Sequence, residues 1–301
     1  MVAEIRAWWR RRGARRRFNP YVVGAPVFDP LLLFGREPLI RHALRLLDTG
    51  SLWLTGERRI GKTSFLHGLR RALSRYDGGG RPRSHPVFVD FEAVTAPDLF
   101  HALMDETVEA LAPEPRVLDG LRFRLAGDPY SSADFRLDLL ALLEDLRART
   151  RLPARLVLLI DEVDALRAEP GRGGDRGLVE LIQCRPPEVR LVLAGVPPHT
   201  AGPGRAALEG LEIGPLTPEA ARALVRGPVA GVYRYEAEAV ERILGLSDLR
   251  PSVIQRLCLD AVDRMLDDRR TTVRPSDVLP AARPAGEPFP APGFLDLSDA
   301  D

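Results

Sequence analysis

Apolar positions along the chain fall into two patterns: short continuous runs, and longer stretches with a three-to-four-residue spacing. The runs are Ser51–Thr55 (SLWLT), 86–91 (PVFVDF), 155–160 (RLVLLI) and 190–194 (RLVLA), with a brief fifth at 211–213. Their length predicts strands. The unbroken apolar run at 155–160 is that of a parallel strand covered on both faces. Helical spacing marks 38–47 (Leu39, Ile40, Ala43, Leu44, Leu47), 62–76 (Phe65, Leu66, Leu69, Leu73), 97–112, 132–150 and 177–184. Strands that alternate with helices predict an α/β fold, a parallel sheet with helices on both faces. From Thr217 onward the pattern is all helical, at 217–226, 235–246 and 251–267. The expected organisation is therefore a basic disordered arm (1–20), an α/β domain (21–215), a small helical lid (216–282) and a proline-rich disordered tail (283–301).

Composition narrows the possibilities by exclusion. Apolar residues make up 45% and charged residues 28% of 301 positions, which suits a globular protein. A net charge of +1 points to no polyanionic partner for the chain as a whole. Residues 6–17 differ, with seven arginines around Trp8 and Trp9. That arm is open to three readings: a solvated segment, a nucleic-acid contact through stacking and phosphate pairing, or a contact with a protein or membrane surface. Cys184 and Cys258 lie in apolar helical patterns and are expected as buried thiols. The five histidines show no metal-ligand spacing. No apolar run approaches the ~20 residues of a membrane span, and no secretory signal precedes the fold, so a cytoplasmic protein is expected.

One residue changes the picture more than any bulk number. Lys62 is the only lysine among 43 basic residues. It lies in Gly56-Glu57-Arg58-Arg59-Ile60-Gly61-Lys62-Thr63, which fits the phosphate-binding pattern G-x-x-x-x-G-K-[ST] and is followed by Ser64. Lysine brings a compact ammonium on a slim stem, whereas arginine brings a broad planar fork. The glycines let successive backbone N–H groups turn toward a phosphate, and the helix that follows adds its positive end. Lys62 would reach the outer phosphates, and the Thr63 hydroxyl is a hard oxygen ligand for Mg²⁺. Arg58 and Arg59 either lean over the phosphates or stay solvated.

The second half of the site lies about a hundred residues on. The 155–160 strand runs into Asp161-Glu162-Val163-Asp164, which places Asp161 at the carboxyl edge of the sheet, where α/β ligands bind. Asp161 would hold Mg²⁺ and Glu162 would orient and polarise the attacking water. Asp164 is expected to cap a helix or support its neighbours rather than act as a ligand.

With these residues in view, the chain resembles bacterial and archaeal AAA+-related ATPases of the STAND type. The segments NPYVVGAPVFDPLLLFGRE, GERRIGKTSFL and LLIDEVDAL carry the resemblance, and the later LEIGPLTPEAARALVRGPVAG and PSVIQRLCLDAVDRM are similar to that group's helical lid. It implies a P-loop NTPase sheet of the ASCE class, with the strand after the acidic motif inserted between the P-loop and acidic strands. It also implies ATP as the nucleotide, Arg36 near the adenine, and the turn at Pro251 near the nucleotide. Such proteins act as ATP-driven switches that change conformation, assemble as homo-oligomers or work through a protein partner. Two departures stand out. The lid's Gly-x-Pro turn is here Asp248-Leu249-Arg250-Pro251, so the proline is kept and the glycine lost. Arg250 is then either a phosphate-sensing arginine or a surface one. The fourth strand ends in Ala194-Gly195-Val196-Pro197-Pro198 without a polar sensor, and His199 and Thr200 are the nearest candidates. The leading expectation is an ATP-hydrolysing switch. A non-hydrolysing ATP-binding scaffold and an ATP-dependent DNA-binding protein are the alternatives.

Overall fold

The computed structural model describes residues 19–75, 82–124, 130–167, 174–196 and 208–279. The arm at 6–17 with Trp8 and Trp9, the 78–80 glycines, residues 197–200 with His199 and Thr200, and the 283–301 tail lie outside the described residues.

Helix α1 (Glu37–Thr49) opens the fold, with a proline in its first turn, and stops at Gly50, whose N–H donates to the Leu46 carbonyl at 2.9 Å. Strand β1 (Ser51–Thr55) follows, then the 56–61 loop and α2 (Lys62–Arg75). Phe65, Leu66, Leu69 and Leu73 form the buried stripe of α2, as their spacing predicts. Strand β2 (Arg83–Asp90) leads to α3 (Leu99–Leu111), the single turn α4 (Pro115–Leu118) and α5 (Ser132–Thr150). The start of α5 is fixed by a capping box between Ser131 and Asp134. Then come β3 (Ala154–Asp161), α6 (Gly174–Cys184), β4 (Val189–Ala194) and β5 (Leu208–Glu212).

These strands form one parallel sheet in the order β2-β3-β4-β1-β5. The β4 strand, which follows the acidic motif, lies between β1 and β3, as the resemblance implies. Every residue of β3 except Arg155 is buried, which explains its unbroken apolar run. Two apolar layers cover the sheet. One packs α3, α5 and α6 against Trp53, Leu156, Leu158 and Ile160. The other packs α1 and α2 against Leu52, Leu54, Val157 and Leu159.

A third apolar cluster belongs to α7 (Pro218–Arg226), α8 (Ala237–Ser247) and α9 (Pro251–Asp267). A two-residue parallel pair, β6 (Arg234–Tyr235) with β7 (Thr272–Val273), ties its ends. Tyr21, Leu32 and Phe34 of the segment before α1 also pack into this cluster. The Tyr21 hydroxyl donates to the Val225 carbonyl, Asn19 Nδ2 to the Leu259 carbonyl at 2.8 Å, and the Val22 N–H to Gln255 Oε1 at 3.3 Å. The same segment also bonds to α2: the Val27 N–H donates to Ser64 Oγ at 2.9 Å, and Arg71 donates to the Phe28 carbonyl at 3.2 Å.

The structure corrects several boundaries. Strand β2 begins three residues before the apolar run, because it is an edge strand whose outer residues are polar and which tolerates Pro86. Strand β5 spans Leu208–Glu212 rather than 211–213. It pairs with β1 from Ser51↔Leu208 to Thr55↔Glu212, and its exposed Glu209 and Glu212 break the apolar signal at a sheet edge. Helix α6 starts three residues early, at Gly174. Among the described residues no helix is long and apolar enough to cross a membrane. Cys258 is buried and Cys184 half-buried, both as free thiols.

Candidate nucleotide site

The loop from Gly56 to Gly61 leaves the carboxyl end of β1 and delivers Lys62 as the first residue of α2. Gly56 has φ 154°, and a Cβ there would lie 2.5 Å from the Ile213 carbonyl oxygen. Only glycine brings the loop this close to the strand beside it. Ile60 is buried and anchors the loop from below, while Glu57, Arg58 and Arg59 are exposed on its outer rim. Lys62 Nζ donates to the carbonyls of Gly56 and Glu57, both at 3.1 Å. The lysine thus lies along the concave side of the loop.

Arg36 stands behind the loop. It is 7% exposed, and one guanidinium nitrogen donates to the Ile60 carbonyl at 3.2 Å and the Gly214 carbonyl at 2.8 Å. It therefore clamps the loop to the connector between β5 and α7. Burial lowers its pKa, yet arginine stays charged at any physiological pH.

The acidic strand end meets the loop from the side. Asp161 is 1% exposed. The Thr63 side chain lies beside it, and the Glu162 N–H donates to its Oδ1 at 3.0 Å. Burial raises the Asp161 carboxyl, and these two neighbours oppose that rise. Glu162 is exposed, and it adopts φ 51°. A non-glycine residue in that region costs about 1–3 kcal/mol and is concentrated at functional sites. Its carboxyl is raised by burial first and by the Asp161 charge second, with Lys62 opposing. Asp90 ends β2 directly beside Asp161 in the sheet register and adds negative charge to both.

Asp164 accepts from the Val196 N–H through both oxygens, at 2.9 and 3.1 Å. It ties the acidic motif to the end of β4, which is a supporting role. Gly195 lies at that junction with φ 153°, and a Cβ would meet Val163 Cγ2 at 2.6 Å. The strand end therefore holds a glycine because the acidic motif packs against it. Ser64 holds the segment before α1 through Val27. Pro251 begins α9, and the residue before it, Arg250, reaches back to the loop, where its Nη2 lies 2.8 Å from Glu57 Oε2. The Glu57 end of this pair is not specified by the loop motif, and nothing in the sequence signals the pairing.

The structure thus brings together Gly56, Glu57, Lys62, Thr63, Asp161, Glu162 and Arg250, with Arg36 behind them. The donor set fits a triphosphate with a hard divalent cation: a backbone cradle, one ammonium, and a hydroxyl beside a buried carboxylate.

The fold and this arrangement define a P-loop NTPase. A family model described as an AAA domain matches residues 46–200, and the chain belongs to that family. Among solved structures it is similar to the Aeropyrum pernix ORC1 protein in complex with DNA. The TM-score is 0.57 at 20% identity, over 83% of this chain and 65% of that one. It is also similar to a Walker-type ATPase of Pyrococcus abyssi, with TM-score 0.55 and 17% identity over 82% and 72% of the two chains. The ORC2 protein of Aeropyrum pernix in ADPNP and ADP complexes gives 0.55 and 15%, over 88% and 70%. The chain thus spans just under two thirds of the first of these, and at such identities the likeness is one of fold. No curated protein sequence matches significantly.

Proposed function

We propose that the protein binds ATP with Mg²⁺ and hydrolyses it, as a switch of the STAND type that acts through a protein partner. The observation that carries this reading is the placement of buried Asp161 beside Lys62 and Thr63 of the P-loop helix, with Glu162 next to it. It joins the P-loop helix to the acidic strand at one point. Lys62 and the N–H groups of the loop would bind the outer phosphates. Thr63 and Asp161 would hold the cation, which supplies neutralisation of the triphosphate charge. Glu162 would accept a proton from the attacking water, whose oxygen bonds to the γ-phosphorus as the bond to the leaving ADP oxygen breaks. Arg250, at the rim of the loop, would read the terminal phosphate. The helices α7 to α9 would form the lid.

The test is ATP binding and turnover in two variants. Lys62→Ala is expected to abolish ATP binding. Glu162→Gln is expected to bind ATP normally and to lower kcat by at least about a hundredfold, the usual scale for a general base. If Glu162→Gln turns over at the parental rate, the assigned base is wrong. If the parent binds ATP tightly and shows no turnover, the protein is a nucleotide-gated scaffold.

A second reading is ATP-dependent DNA binding. It rests on the seven arginines at 6–17 and on the DNA named with the ORC1 structure. A gel-shift comparison of the full chain with one lacking residues 1–18 tests it.

A further inference from the structure

The ion pair between Glu57 and Arg250 joins two parts of the molecule far apart in sequence. Glu57 is the second residue of the phosphate loop, and Arg250 is the N-cap of α9. The two side chains meet at 2.8 Å, with Glu57 59% and Arg250 29% exposed. The backbone before Arg250 is shaped to make this contact. Asp248 and Leu249 have φ 47° and 58°, two successive non-glycine residues in the left-handed region. Leucine rarely adopts that conformation, and surrounding structure must hold it there. The holding bonds are present: the Leu216 N–H donates to the Leu249 carbonyl at 2.9 Å, and the Arg250 N–H to the Ser247 carbonyl at 2.9 Å. The turn holds its strained geometry without a glycine, and its effect is to direct Arg250 at the loop.

A carboxylate and a phosphate are alternative anions for one guanidinium. Here the carboxylate belongs to the loop that would enclose the phosphates. We propose that Glu57 is a positioning residue. Its carboxylate holds Arg250 at the mouth of the loop and yields it to the terminal phosphate of ATP. This rests on the ATP reading above. Glu57 then sets how much of the ATP binding energy is used to release Arg250. It also sets how strongly the protein distinguishes ATP from ADP, which ends one phosphate short.

The experiment is a cycle of Glu57→Gln, Arg250→Gln and the double variant, titrated with Mg-ATP and Mg-ADP. Both positions are solvent-accessible, so the fold is expected to survive, and thermal unfolding of each variant checks this. Glu57→Gln should tighten ATP by about two- to fivefold, the range of an exposed ion pair. ADP should tighten much less, and the gain should vanish when Arg250 is glutamine. Equal tightening of ATP and ADP, a gain that persists without Arg250, or no tightening would each overturn the proposal. Lys62→Ala runs alongside. Parental ATP affinity in that variant overturns the nucleotide reading itself, and with it this proposal. Its loss, combined with no effect at Glu57, overturns only the positioning role.

Discussion

Replacing Arg36 by methionine should damage both the fold and the site, through two backbone carbonyls. The arginine donates to Ile60 in the loop and to Gly214 in the connector toward α7, and it is 7% exposed. Methionine keeps the length and the packing but offers no donor. Two orphaned carbonyls at about 1–3 kcal/mol each bound the loss at roughly 2–6 kcal/mol. Removing the guanidinium also removes its own desolvation, so a net loss of about 2–3 kcal/mol is expected. The loop loses its backing at the same time, and ATP affinity should fall about tenfold, or ~1.4 kcal/mol. Urea unfolding can be followed through Trp53, which is buried in β1 with its indole N–H bonded to the Gly195 carbonyl. ATP titration gives the second number. Arg36→Lys should fall between parent and Arg36→Met, since its ammonium can still donate to a carbonyl but sits on a shorter stem than the guanidinium nitrogen that makes both bonds. If Arg36→Met unfolds within ~0.5 kcal/mol of the parent and binds ATP equally well, Arg36 is not the clamp described here.

Two further outcomes are expected. Asp277 accepts from Arg270 at 2.8 and 2.6 Å and from the Arg274 N–H at 2.7 Å. Burial alone would raise its carboxyl, but these bonds outweigh burial and leave it below its ordinary value. Its contribution is therefore complete above the unfolded value, near pH 4, and is lost as pH falls through the lower folded value. Asp277→Asn should flatten the acid limb of the stability curve, and parallel acid limbs in parent and variant would exclude this linkage. For the arm, deletion of residues 1–18 should abolish salt-sensitive gel shifts of duplex DNA while leaving ATP affinity intact. Unchanged shifts would remove the arm from the DNA reading.

The sheet and its chemistry were legible because their signals are local and strong. The run Ser51–Thr55, the motif around Lys62 and the run into Asp161 each announce themselves within a few residues. Helices α5 and α9 begin and end where their periodicity and caps place them. The missed elements are short or lie at edges. The turn Pro115–Leu118 and the bend at Arg122–Arg124 are too short for periodicity. The bend is held instead by buried Asp138, which accepts from the N–H groups of Arg122 and Phe123 and from the Tyr130 hydroxyl. No window of sequence shows a carboxylate collecting donors across 16 residues. The partners of Arg36 are non-local in the same way: they are carbonyls at positions 60 and 214 that only the folded chain brings together. The sequence leaves Arg250 between two readings because an ion pair with residue 57 has no sequence signature at that distance.

The strand of chain from Asn19 to Phe34 gives the molecule an unusual kind of modularity. Its Tyr21, Leu32 and Phe34 complete the core of the C-terminal helices, although they stand at the opposite end of the sequence. Those helices cannot be lifted out as a contiguous block, because the block would carry a hole where three side chains belong. A chimera that exchanges residues 216–279 with a relative should fold well only if residues 19–34 travel with them. Residues 19–34 and 216–279 share one core, and substitutions in Tyr21 or Phe34 should be compensated by changes around Val225 and α9 rather than by neighbours in sequence.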